Sequence, residues 1–157
     1  MVKYFTFSLS IAFISWIVGM VINAFLAKTT FYQKRLSNLN FVRSEQINRW
    51  LGLAPFKWII MHSFFKFFNP KLSIKKTILA KELTGYRLEM TTAELNHLFA
   101  FSFMTVFLFI KIVQGQYLFA LIMLLVNVLM NLYPSLLQQQ NKRRIDRYLE
   151  VLKKRSA

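Results

Sequence analysis

Three long apolar stretches leave this chain few places to fold other than a lipid bilayer. The first runs from about Tyr4 to Leu26, with no charge between Lys3 and Lys28. The second runs from about Leu95 to Ile110, with His97 near its start and Lys111 just beyond its end. The third, from Tyr117 to about Gln138, lies in a charge-free run from Ile112 to Asn141. A helix needs about 20 mostly apolar residues to cross the hydrocarbon core. The pattern predicts an all-α integral membrane protein, a single membrane domain over 1–157. Transmembrane helices are expected at about 4–26, 94–111 and 116–138, an interfacial amphipathic cytoplasmic segment at 27–93 and a basic tail at 139–157. The first run is too long for a signal-peptide core and lacks an A-x-A site, so it reads as a retained anchor. The second is short, so Lys111 must snorkel toward a polar surface. Gln114-Gly115-Gln116 then reads as a tight turn that closes a helical hairpin.

Charge sets the expected orientation. The chain has 21 Lys+Arg against 6 Asp+Glu, a net charge of +15, while 55% of its residues are hydrophobic. From Lys28 up to His97 there are 12 Lys/Arg and after Gln140 there are 7, whereas the N-terminus and the hairpin turn carry one each. Cytoplasmic flanks hold the excess of Lys/Arg, which puts the N-terminus outside and the C-terminus inside. On this reading the charge meets the anionic lipids of the inner leaflet. No nucleic-acid partner is expected, because that would need a basic face on a soluble module. The absence of Cys excludes disulfides and thiolate metal sites.

Within 27–93, Phe56 to Phe68 is too short and too charged to span, and its aromatic, Lys-bearing character predicts a helix lying in the interface plane. Pro55 suits its first position and Asn69-Pro70 its end. Arg43, Arg49 and Trp50 read as a second interfacial patch. The stretch from Pro70 to Arg87 is basic and weakly amphipathic, and has no clear assignment.

Few residues can carry chemistry: the chain has one Asp and two His. Glu94 and His97, three apart, share a helix face, and a carboxylate beside an imidazole suits a general base acting on a hydroxyl. Thr91-x-x-Glu94 also fits a capping box, and His97 also fits a hydrogen-bonded interfacial residue. Half of a di-iron site reads Glu-x-x-His too, but no second copy exists, so no metal is expected. Asn127, Asn131, Pro134, Gln138 and Asn141 form a polar stripe at spacings of three or four, serving as helix–helix glue or as the edge of a substrate groove. Pro134 removes one backbone bond and frees a carbonyl. On the first span, Ser8, Ala12, Ser15, Gly19 and Asn23 form a stripe that predicts close packing against the other spans. In the tail, a helix would set Ile145, Tyr148, Leu149 and Leu152 opposite the basic groups. Arg143, Arg144 and Arg147 there fit either positive-inside anchors or phosphate ligands. The chain has no Gly-rich phosphate loop, no Gly-x-Ser-x-Gly elbow and no His-x-x-x-x-Asp pair.

The run Ala93-Glu94-Leu95-Asn96-His97 opens the hairpin. It is followed by Asn131, Gln138, Asn141 and Arg144, then a basic amphipathic end at Leu149 to Arg155, with Arg49-Trp50 and Lys57-Trp58 upstream. Over roughly residues 45–155 this resembles the glycosyl-4,4′-diaponeurosporenoate acyltransferase family, small membrane proteins of staphyloxanthin-type carotenoid synthesis. The resemblance implies transfer of a fatty acyl group onto a sugar hydroxyl of a glycosylated carotenoid or related glycolipid, in a bacterial cytoplasmic membrane. It implies His97 as general base, with Glu94 orienting it. Asn131, Gln138 and Asn141 would border the acceptor, and Arg143, Arg144 and Arg147 would hold the phosphates of acyl-CoA. Acyl-CoA is then a donor substrate, and no bound cofactor is expected. The chain departs from the family around Pro134 and in the Phe-rich 56–68 segment. A different class of function, a non-catalytic small subunit or scaffold with a membrane-protein partner, predicts an outward-facing, unpaired polar stripe.

Overall fold

The computed structural model describes residues 1–42, 44–63 and 80–155. Arg43 and residues 64–79 of the expected interfacial region lie outside the described residues. Among those described, every regular element is helical: α1 (Val2–Leu26), α2 (Thr30–Lys34), a 3-10 turn (Leu36–Asn38), α3 (Glu45–Trp50), α4 (Leu53–His62), α5 (Ala80–Val113), α6 (Tyr117–Asn127), a π-helical turn (Val128–Leu132) and α7 (Tyr133–Arg155). Three helical stretches are long and apolar enough to cross a membrane: Val2–Leu26, Glu82–Val113 and Tyr117–Lys154. The last is continuous because the π turn joins α6 to α7 without a break. The chain folds as two compact units, one of residues 1–39 and 92–135, the other of residues 40–91 and 136–157.

The first unit is built inside out relative to a soluble protein. α1 buries Ser8, Ala12, Ser15, Gly19 and Asn23, the five residues of its predicted stripe. Its large apolar side chains, among them Phe5, Ile17 and Phe25, stay exposed. Water would punish that arrangement, whereas lipid tails accept it and let small residues bring helix backbones together. The approach is closest at Gly19, where an added Cβ would stand 2.3 Å from the Asn96 carbonyl oxygen of α5. One turn on, the Asn23 side-chain amide donates to the Thr92 carbonyl (3.1 Å) and to Asn96 Oδ1 (2.7 Å). Apolar packing completes the unit, with Ala12, Met104, Leu108, Phe119, Met123 and Val126 in one cluster. Tyr4 stacks on Phe119 with ring centroids 4.5 Å apart.

The hairpin turn forms where expected. Gly115 takes φ +70°, a left-handed conformation that glycine adopts without steric cost. Lys111 reaches the same turn: its Nζ donates to Gln114 Oε1 (3.0 Å) and sits 5.0 Å from the Phe119 ring centroid.

The second unit is amphipathic in the ordinary sense. Leu83 and Met90 of α5 pack against Ile145 of α7, with Tyr86, Leu149 and Leu152 at the edge. Ile60 of α4 packs on Leu137 of α7, flanked by Phe56 and Met61. Each such fully buried aliphatic side chain contributes on the order of 1.5–3 kcal/mol when taken out of water. Of the four apolar residues expected on one side of the tail helix, Tyr148 is instead exposed. Ser44 caps α3 by accepting from the backbone N–H groups of Gln46 and Ile47. Gly52, at φ +67°, turns the chain from α3 into α4.

Several local expectations need correction. α4 starts at Leu53, so Pro55 is its third residue; the position is tolerated because first-turn N–H groups have no helical partner anyway. The same helix ends at His62, where Ser63 is extended (φ −112°, ψ 176°), and the rest of the expected helix, residues 64–68, lies outside the described residues. The helix carrying the second apolar run begins by Ala80, far upstream of residue 94. Thr91 is therefore interior, and its hydroxyl donates to the Arg87 carbonyl (2.9 Å), which removes it as an N-cap.

Candidate functional site

In the first unit, polar side chains converge on Asn131. Its Oδ1 accepts from Trp16 Nε1 (2.8 Å), and its amide donates to Ser15 Oγ (3.3 Å) and Asn127 Oδ1 (2.9 Å). Asn127 in turn donates to the Phe101 carbonyl (3.1 Å) and Thr105 Oγ1 (3.2 Å). Asn127, Asn131 and Ser15 are fully buried, so this half of the polar stripe faces inward and is paired. Its bonds run between helices, as the helix–helix glue reading of the stripe expects.

His97 lies against this network. Trp16 meets its ring edge-on, with centroids 5.8 Å apart and planes at 89°. The Asn131 side chain and the Met130 backbone are its hydrogen-bonding neighbours. The proline two places into α7 explains the second of these. Pro134 has no N–H, so it cannot serve the Met130 carbonyl four residues earlier, and the chain relaxes into a π turn at Val128–Leu132. The carbonyl freed by Pro134 is thus available to an imidazole. The other face of the ring is different: Nδ1 is buried and has no hydrogen-bond partner among the described residues. Glu94, one turn earlier on α5, is fully buried, but the ring takes its polar neighbours from Asn131 and Met130 and not from Glu94. Asn131→Leu leaves the Trp16 indole N–H and the Ser15 hydroxyl short of a partner. A loss of about 1 kcal/mol in folding stability is expected, measurable by detergent unfolding.

The remaining predicted residues belong to the second unit. Gln138 and Asn141 are both buried, and the Nδ2 of Asn141 is unpartnered among the described residues. Arg143 is spent on structure: its guanidinium donates to Asn40 Oδ1 (2.8 Å) and to the Val42 carbonyl, fastening the segment before α3. Gln139, which the stripe did not include, is fully buried and accepts from the Val42 N–H (3.1 Å). Arg144 and Arg147 are exposed. Asp146, the one aspartate, forms an ion pair with Arg87. Burial, followed by the nearby Arg144 charge, lowers the pKa of the Lys57 ammonium below its ordinary value.

Trp16 and Lys57 are functional candidates that the motifs did not single out. Trp16 had a signal: an indole N–H inside an apolar span needs an acceptor. Lys57 entered only through the Lys57-Trp58 pair of the family resemblance and with no role, because its environment depends on where α4 packs. Among the described residues no three His, Asp or Glu side chains gather as a metal site would require.

No curated protein and no solved structure matches the chain. The profile of the glycosyl-4,4′-diaponeurosporenoate acyltransferase family matches residues 28–151, which include His97, Asn131 and the tail arginines but leave out Ser15 and Trp16 of α1. With most of its length covered by that match, the chain belongs to the glycosyl-4,4′-diaponeurosporenoate acyltransferase family.

Proposed function

We propose that this protein transfers a fatty acyl group from acyl-CoA to a sugar hydroxyl of a glycosylated carotenoid, or of a related glycolipid, at the cytoplasmic face of a bacterial inner membrane. Family membership supports the class of reaction. The observation that carries the choice of base is the buried, unpartnered Nδ1 of His97. A buried polar atom without a partner is costly, and a substrate hydroxyl would relieve that cost.

In the proposed step, the hydroxyl oxygen attacks the thioester carbonyl while Nδ1 takes its proton. The new C–O bond forms, the C–S bond breaks, and the imidazolium returns the proton to the leaving CoA thiolate. Asn131 and the Met130 backbone hold the ring on its other side. Glu94, one turn earlier on the same face of α5, acts as a positioning residue. Purified protein given palmitoyl-CoA and glycosyl-4,4′-diaponeurosporenoate should form ester and free CoA thiol in equal amounts. Thiol release without ester would contradict the proposal.

The inferred topology, N-terminus outside and C-terminus inside, rests on the Lys/Arg distribution. It also places the exposed Trp50 and Trp58 at the inner headgroup layer, against anionic lipid. Because the chain has no Cys, single cysteines report cleanly. In spheroplasts, an impermeant maleimide should label Gln114→Cys and leave Lys154→Cys unlabelled until the cells are lysed. The reverse pattern would overturn the orientation.

A further inference from the structure

We propose that Lys57 and Arg144 form a phosphate-binding pair in the second unit, taking a phosphate of acyl-CoA or of an anionic phospholipid headgroup. Packing of α4 on α7 builds the pair. Ile60 seats on Leu137 between Phe56 and Met61, and Lys57 lies one turn before Ile60 on α4. On α7, residues 137, 141 and 144 follow at i, i+4 and i+7, so the stripe that receives Ile60 continues through Asn141 to Arg144. The two cations come near enough for the Arg144 charge to act on the half-buried Lys57 ammonium, whose pKa is lowered chiefly by burial and then by that charge.

Among the described residues no carboxylate offsets them. Among the described residues neither Lys57 nor Arg144 makes a hydrogen bond or an ion pair, and Asp146 is taken by Arg87. Like charges brought together without a counter-ion oppose folding, and an anion between them turns that repulsion into attraction. Asn141 supplies a second, independent sign of a ligand: it is buried, and its Nδ2 donor has no partner. Two cations and a free amide donor match the oxygens of a phosphate. Arg143, next to Arg144 in the chain, takes no part, because it is committed to Asn40 and Val42.

The choice of CoA as a probe rests on the acyltransferase reading; the pair itself does not. The test uses the full chain in nanodiscs of phosphatidylcholine, with CoA binding measured by titration calorimetry for wild type, K57Q, R144Q and the exposed-tail control K154Q. At least tenfold weaker binding is expected in K57Q and R144Q, with K154Q within twofold of wild type. Saturating CoA should raise the melting temperature of wild type and leave that of R144Q unchanged. R144Q alters an exposed side chain and so keeps the test valid even if K57Q fails to fold.

A second arm adds phosphatidylglycerol to the nanodiscs. If the lipid displaces CoA from wild type, the headgroup is the occupant and the pair stands. If CoA binds equally to all four proteins, or K154Q weakens binding as much as R144Q, the proposal is overturned. These readouts involve no turnover, so a failure of the acyltransferase reading would leave them intact.

Discussion

Gly19→Val should strip most of the folded protein from the membrane, and Gly19→Ala should do so in part. The Cβ that either substitution adds would lie 2.3 Å from the Asn96 carbonyl oxygen and 3.1 Å from the Ala100 nitrogen. These are backbone atoms of a helix, so no side chain can swing aside to make room. α1 must move away from α5, and the Asn23 bonds to Thr92 and Asn96 one turn further on must stretch with it. Overpacking at such a contact costs about 1–3 kcal/mol for a single methyl, only partly offset by the roughly 1 kcal/mol by which alanine outranks glycine in a helix. Valine adds two further methyls at the same point. Folded yield by gel filtration and unfolding in SDS should therefore rank wild type above G19A and G19A above G19V. Equal stability for G19V would show that α1 does not approach α5 as closely as described.

The second large effect concerns chemistry and not folding. His97→Ala should lower kcat for acyl transfer by about 10²–10⁴-fold, the usual contribution of a positioned general base. KM for acyl-CoA should change little, because the imidazole takes the acceptor's proton and does not bind the donor. Folded yield should fall only modestly, since the lost imidazole gives up its contacts with Asn131 and Met130 but none at Nδ1. Asn131→Ala should give a smaller fall in kcat, because it frees the ring while leaving the base in place. If H97A kept wild-type kcat with normal folding, the imidazole would be structural and another group would have to accept the proton.

The sequence was most legible where side-chain size and helical period act alone. The α1 stripe is an example: small and polar residues at spacings of three or four have one sensible use in lipid, and all five are buried. The turn at Gly115 and the reach of Lys111 follow from local chain chemistry in the same way. Pro134 was legible as a source of a free carbonyl, although only the fold brings His97 to the Met130 backbone.

Local pattern failed where tertiary contacts decide. Thr91-x-x-Glu94 matches a capping box in composition, but packing of Leu83 and Met90 on Ile145 extends α5 upstream and leaves Thr91 inside the helix. Arg143 looks no different from Arg144 in a row of basic residues. One is fastened to Asn40 and Val42 and the other is exposed, a difference fixed by a segment a hundred residues away. Glu94 shares a face with His97 as the spacing required, yet Asn131 and Met130 are the ring's neighbours, because a helix from elsewhere in the chain comes closer than one turn of its own.

Esterification of a glycosylated carotenoid or related glycolipid through His97 can be read by mass spectrometry of lipid and pigment extracts. The comparison is between cells lacking the protein, cells expressing wild type and cells expressing His97→Ala at equal membrane abundance. An acylated species is expected in the wild-type extract alone, with a mass increment that names the acyl group. Three matching extracts would rule this chemistry out.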